Sequence, residues 1–244
     1  LGYFVGGSIV LVMSLLASKF LSLIITVRGA KNELIRKTSR LNLNYVAKKY
    51  SDMPKFSAPE ALLGGLNTQA NFIFIGLYDL KIAGAYFIVN RLLGSPISVF
   101  SSSYSKVFYQ KFTNLEFESR KEYLKKTWLK FFIVTFPFFI VLFLSADFLT
   151  YVLGPDWSIA GNIFKVLLPY FWINFISSST GTAHLTLRLQ HIALLFSLVT
   201  IIFKFSIFLT GLNYEIDLIT VLKIIVLYDI LQIICMNIIA YKKA

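Results

Sequence analysis

The sequence predicts an all-α integral membrane protein, a polytopic bundle of about seven transmembrane helices. Three observations carry this. Of 244 residues, 57% are hydrophobic and only 15% charged, whereas a soluble domain sits nearer half apolar and a quarter charged. The mean hydropathy is +0.70. The apolar residues fall in runs long enough to cross a hydrocarbon core of about 30 Å, which needs roughly 20 helical residues. No run keeps the strict alternation that a barrel strand of about ten residues requires. A disordered chain is excluded too, because 16% of residues are aromatic and disorder needs few of them.

The expected spans, in order, are 1–27, 57–78, 82–105, 129–153, 159–181, 190–211 and 218–241. The connections between them sort by charge. Segment 28–56 carries Arg28, Lys31, Arg36, Lys37, Arg40, Lys48, Lys49 and Lys55 against Glu33 and Asp52. Segment 106–128 carries Lys106, Lys111, Arg120, Lys121, Lys125 and Lys126 against Glu116, Glu118 and Glu122. The turn near 182–189 has Arg188, and the chain ends Lys242-Lys243-Ala244. Between these lie short neutral or acidic loops at Asp79-Leu80-Lys81, Gly154 to Trp157, and Asn213 to Asp217.

Basic and non-basic connections therefore alternate. Lys and Arg resist translocation, so Leu1 is expected outside and Ala244 in the cytoplasm. The net charge of +12 reports cytoplasmic loops rather than nucleic-acid binding, since every basic cluster abuts a span end. Trp128 and Trp157 fall at span ends, where amphipathic rings settle. An external N-terminus without a basic leader region, and an odd number of spans, are expected of a chain preceded by further spans.

Polar groups at membrane depth are costly and mark candidate sites. Arg91, Ser95, Ser98, Ser102 and Ser105 follow helical spacing and share one face. Counting inward from residue 82 at about 1.5 Å per residue puts Arg91 about 14 Å deep. A guanidinium there must face protein or water, and its fork suits phosphate. The serines serve equally as a close-packing face. Glu60, Gly64, Asn67 and Asn71 form a second stripe, with Thr68 and Gln69 beside it. Such a stripe either bonds between helices or lines a cavity.

Lys204 and Asp229 sit at depths that a lysine stem can bridge. They read as a structural ion pair or as an ion-coupling site. Lys165 and Lys19 are shallow enough to snorkel. Pro96, Pro137 and Pro169 fall inside spans and predict kinks. His184, Arg188 and His191 cluster at one turn and read as interfacial rather than metal-binding. Cys235 is the single cysteine, so no intrachain disulfide forms. No Walker loop, G-x-S-x-G or H-E-x-x-H is present, so an enzyme is not expected.

Ordered along the chain, Pro59, the stripe to Gln69, Gly84-Ala85-Tyr86, Asn90-Arg91, Pro96 and Val107-Phe108-Tyr109-Gln110 resemble the polysaccharide transporter family. So do Gly154-Pro155-Asp156-Trp157, Ala160-Gly161, Pro169 and Arg188-Leu189-Gln190. These are the Wzx-type O-antigen and capsule repeat-unit flippases of the multidrug/oligosaccharidyl-lipid/polysaccharide exporter superfamily. The resemblance covers roughly residues 45–200. It implies a chain holding the last seven of twelve spans. Residues 1–28 would be the last helix of a first bundle, 29–56 a basic cytoplasmic linker, and 57–244 the six-helix second bundle.

The resemblance further implies alternating access, with lipid-linked oligosaccharide (an undecaprenyl-pyrophosphate repeat unit) moved across a bacterial cytoplasmic membrane. Candidate cavity residues for that cargo are Arg91, Asn67, Gln69, Asn71, Asn90, Ser98 and Lys165. Candidate ion-coupling residues are Glu60, Asp229 and Lys204, with a proton or sodium gradient as the driver and no other cofactor. Expected partners are the lipid-linked glycan, membrane lipids, and the polysaccharide polymerase and chain-length machinery, with no nucleic acid. The alternatives are a drug/cation antiporter or lipid II flippase of the same superfamily, or a non-transporting membrane fragment. A membrane polymerase is disfavoured by the short external loops.

Overall fold

In the computed structural model, residues 7–37, 45, 53–154 and 157–244 are described. They are helical, and no strand occurs among them. Chain contacts divide the protein into two units, Leu1–Ser51 and Asp52–Ala244. The first contains α1, Gly7–Lys37. It continues well past the expected span end at 27. Met13, Leu16, Phe20, Ile25 and Lys19 are exposed on it. The rest of the expected linker, beyond Lys37 and up to Asp52, lies outside the described residues, Tyr45 excepted.

The second unit begins with a π-helical turn, Met53–Ser57, leading into α2, Ala58–Tyr78. Then come α3 (Leu80–Asn114), α4 (Phe117–Leu144), α5 (Ala146–Leu153), α6 (Ser158–Ser179), α7 (Thr182–Thr186), α8 (Gln190–Asn213) and α9 (Leu218–Lys243). Among the described residues, five helices are long and apolar enough to cross a membrane: α3, α4, α6 from Ile159, α8 and α9. The chain is a multi-pass α-helical membrane protein by that measure. Helix α2 is long enough, but the Glu60-to-Asn71 stripe makes it too polar to count by composition alone. Large apolar residues are exposed along the spanning helices, as at Ile133 (61%), Val141 (62%) and Ile202 (64%). A contiguous apolar surface of this kind suits hydrocarbon rather than water.

Two expected boundaries are corrected. Segment 106–128 is helical rather than a loop, because α3 and α4 both run on through it. Only Leu115 and Glu116 separate them, in extended backbone. The stretch 129–153 is not one span. The chain turns at Ser145, which closes α4 before α5 begins. The three prolines lie within continuous helices.

The acidic loops have a structural use. Asp79 caps α3, its Oδ1 accepting from the Lys81 amide at 2.6 Å and the Ile82 amide at 3.4 Å. Asp217 caps α9 by accepting from the Thr220 amide at 3.3 Å. Each satisfies amides that open a helix.

Five helices close a ring: α3 packs on α6, α6 on α9, α9 on α8, α8 on α2, and α2 on α3. Helix α4 lies outside this ring against α6. Two tryptophan indoles tie them together. Trp172 Nε1 donates to Thr135 Oγ1 at 2.9 Å, and Trp128 Nε1 donates to Thr180 Oγ1 at 2.8 Å. The α3–α6 seam is close because it is lined by hydroxyls. Ser178 donates to Ser101 at 2.8 Å, and Ser179 lies 3.5 Å from the same oxygen. Small residues let helices approach this way in a membrane.

A second apolar core closes the basic end. Phe108, Phe112, Leu124, Leu187, Leu189 and Ala240 are buried there. Lys111 and Arg120 lie over the rings of Tyr123 and Phe112 at 5.1 and 5.7 Å. At the α7–α8 turn Arg188 adopts φ 52°, a left-handed conformation that costs a non-glycine residue roughly 1 kcal/mol.

His184 on α7 lies outside the spans, and burial pushes its imidazole below the ordinary value. The unfolded chain then binds the proton first. Stability is therefore flat above about pH 6.5 and falls as the pH drops towards the lowered folded value. Thermal unfolding from about pH 7.5 to 5.5 should show a loss no steeper than about 1.4 kcal/mol per pH unit from this group. His184→Asn should flatten that slope. An unchanged slope in the variant would refute the assignment.

Candidate functional site

The ring of α2, α3, α6, α8 and α9 encloses a cavity of about 220 Å³. Each of the five helices lends polar groups to its lining, among apolar ones such as Leu167, Phe171 and Ile225. Helix α2 supplies Gly64, Asn67, Thr68 and Asn71, which lie at helical spacing. Tyr86 and Asn90 come from α3, Tyr170 and Asn174 from α6, Thr200 and Lys204 from α8, and Asp229 and Gln232 from α9. A membrane bundle with this interior holds polar groups away from lipid, as their cost there requires.

Lys204 and Asp229 form an ion pair across the α8–α9 contact, Nζ to Oδ2 3.0 Å. Their side chains are only 6% and 12% exposed. The pairing expected from their depths is therefore present. Nearby, the Thr200 hydroxyl lies 2.7 Å from the Phe196 carbonyl and 2.5 Å from Gln232 Oε1. Asn67 Nδ2 donates to the Ser197 carbonyl and Asn71 Nδ2 to the Tyr86 hydroxyl, both at 3.1 Å. The carboxamide oxygens of Asn67 and Asn71 are buried with no partner among the described residues. Both residues line the cavity, but these two oxygens are themselves buried from it. Unpaired buried carbonyls cost about 1–3 kcal/mol each unless something donates to them. A polar site of this size admits water.

The structure divides the sequence-predicted residues into groups. Asn67, Asn71, Asn90, Lys204 and Asp229 share the cavity. Arg91 does not line it. It is exposed on α3 with no partner among the described residues. Ser95, Ser98 and Ser102 are exposed with it, as are Leu92 and Val99, and Ser105 is half-buried. Ser98 spends its proton locally, on the Ser95 carbonyl at 2.8 Å. Gln69 is exposed and Glu60 is half-buried, and neither lines the cavity. Lys165 pairs with Asp147 at 2.8 and 3.0 Å, away from the cavity.

Sequence reasoning missed Tyr86, Tyr170, Asn174, Thr200 and Gln232. A signal existed in the helical spacings Tyr170/Asn174, Thr200/Lys204 and Asp229/Gln232, each placing polar groups on one face. Among the described residues, no group of three or more His, Cys, Asp or Glu is placed to hold a metal. Comparison of the chain with protein-family models, with curated proteins and with solved structures gives no match.

Proposed function

We propose that the chain is part of a flippase that moves lipid-linked oligosaccharide across the bacterial cytoplasmic membrane. Its N-terminal end would lie outside and its C-terminal end in the cytoplasm. The observation that carries this reading is Arg91. It is exposed about 17 Å along the membrane-length helix α3, counted at 1.5 Å per residue. Facing hydrocarbon there would cost about 2.5–3.5 kcal/mol on insertion scales. Facing a water-filled path shared with a pyrophosphate removes that cost and supplies a bidentate partner. The exposed serines alongside, and Gln69 on α2, suit a glycan. The resemblance to the polysaccharide transporters supports the same cargo.

Within this reading the Lys204–Asp229 cavity is the candidate coupling site, with a proton or sodium gradient as the driver. The drug/cation antiporter reading has one observation in its favour, the carboxylate in that cavity. Lys204 already neutralises it, which leaves little pull for a cationic drug.

The test is complementation in a strain lacking its own O-antigen or capsule flippase. The gene encoding this chain at its full natural length is supplied as wild type, Arg91→Lys and Arg91→Ala, at matched membrane levels. Surface polysaccharide should return with wild type, weaken with Arg91→Lys and fail with Arg91→Ala. Full activity of Arg91→Ala would remove Arg91 from the mechanism. Failure of wild type with several glycans, despite correct insertion, would remove the cargo.

A further inference from the structure

A groove opens on the outer side of the bundle, at its basic end, between α4, α6 and α9. The packing explains it. Helices α4 and α9 each lie against α6 but meet one another only thinly, so α6 forms the floor. Two adjoining spaces, of about 340 and 500 Å³, share Lys125, Trp128, Ile234 and Asn237. The deep part is apolar: Phe132, Ile173, Ile176 and Ile234 line it.

The mouth has a different chemistry. Trp128 is fixed there by its bond to Thr180, and its ring lies 6.4 Å from that of Tyr241. Lys121 Nζ sits 4.7 Å from the Tyr241 ring centroid. Asn237 Oδ1 accepts from Ser177 Oγ at 3.0 Å, which leaves the Asn237 amide NH₂ to donate. Neighbouring Lys126 is committed to Glu122 at 2.7 Å. Lys121 and Lys125 have no carboxylate partner among the described residues.

From tail to head the groove therefore reads hydrocarbon, aromatic and amide belt, cation. That is the order of groups in a phospholipid lying along a helix, and the cations select a negative headgroup. We propose that this groove is a binding site for one anionic glycerophospholipid of the surrounding leaflet. An acyl chain lies over Ile173 and Ile176, and the phosphate is held by Lys121 and Lys125. This site is separate from the Lys204–Asp229 cavity and from the Arg91 face, and does not depend on the cargo proposed above.

The full natural chain, purified in detergent, is mixed with dioleoyl phosphatidylglycerol or dioleoyl phosphatidylcholine, and retained lipid is read by native mass spectrometry. Wild type should hold one phosphatidylglycerol in preference to phosphatidylcholine. Lys121→Gln and Lys125→Gln should each cut that preference about fivefold, and the double variant should erase it. Ile173→Trp, which fills the floor, should release both lipids, with unchanged circular dichroism reporting a folded bundle. Equal retention of the two lipids by wild type would overturn the proposal. So would an unchanged preference in the double lysine variant. Displacement of phosphatidylglycerol by equimolar undecaprenyl phosphate would give the groove to an isoprenoid instead, and overturn it as well.

Discussion

Asp229→Leu is expected to destabilise the second unit by about 3–5 kcal/mol, among the largest effects of any single substitution. The variant leaves the Lys204 ammonium 6% exposed with no counter-charge, beside a small cavity whose water cannot replace full hydration. Lys204→Met should cost a similar amount by stranding the carboxylate. The double variant Lys204→Met/Asp229→Leu removes both charges and fills the space with apolar atoms. A buried pair replaced in this way is often neutral or better. The double variant should therefore recover most of the loss. Thermal unfolding in detergent of the two singles and the double closes a mutant cycle. Additive losses in the double would show that the two residues do not depend on one another.

The same variants separate the two readings of the pair. A structural clip predicts that the double variant folds and still complements. A coupling site predicts that it folds and is idle. The comparison is clean because folding and transport are read on one protein at one expression level.

Gly211→Ala is the second large effect. A Cβ built at Gly211 on α8 would overlap the Tyr78 hydroxyl and come within 2.8 Å of Val221 Cγ2. Contacts under about 3 Å force something to move, and overpacking a close seam costs typically 1–3 kcal/mol. Val221 is fully buried and has nowhere to retreat. Tyr78 can retreat only by giving up its 3.3 Å bond to the Phe208 carbonyl. The clash is largely with one oxygen, so Tyr78→Phe should rescue Gly211→Ala although it removes a hydrogen bond from the wild type. Unfolding midpoints of the two single variants and the double check this. Absence of rescue would place the strain on Val221.

The apolar runs gave the spanning helices directly, since α3, α4, α6, α8 and α9 are all recognisable by length and composition. Of the α2 stripe Glu60, Gly64, Asn67 and Asn71, the last three line the cavity and Glu60 does not, while depth alone paired Lys204 with Asp229. What spacing could not supply was the rotation of each helix against its neighbours. Periodicity fixes which residues share a face but not what that face meets. Hence Tyr86, Tyr170, Asn174, Thr200 and Gln232 were not joined to the site, and Arg91 was grouped with residues it does not touch. The break at Ser145 was hidden because no glycine or proline marks it.

Helix α3 carries Asn90 into the cavity and Arg91 on the exposed face. Consecutive residues on an α-helix point about 100° apart, so one short stretch of backbone serves two compartments. The Ser101 contacts with Ser178 and Ser179 fasten α3 to α6, which itself bears Tyr170 and Asn174. A rigid rotation of α3 that advanced the guanidinium would withdraw the carboxamide, like the two arms of a crank. Any rotation of α3 about its axis therefore moves part of the cavity wall and the cationic face together, since one stretch of backbone bears both.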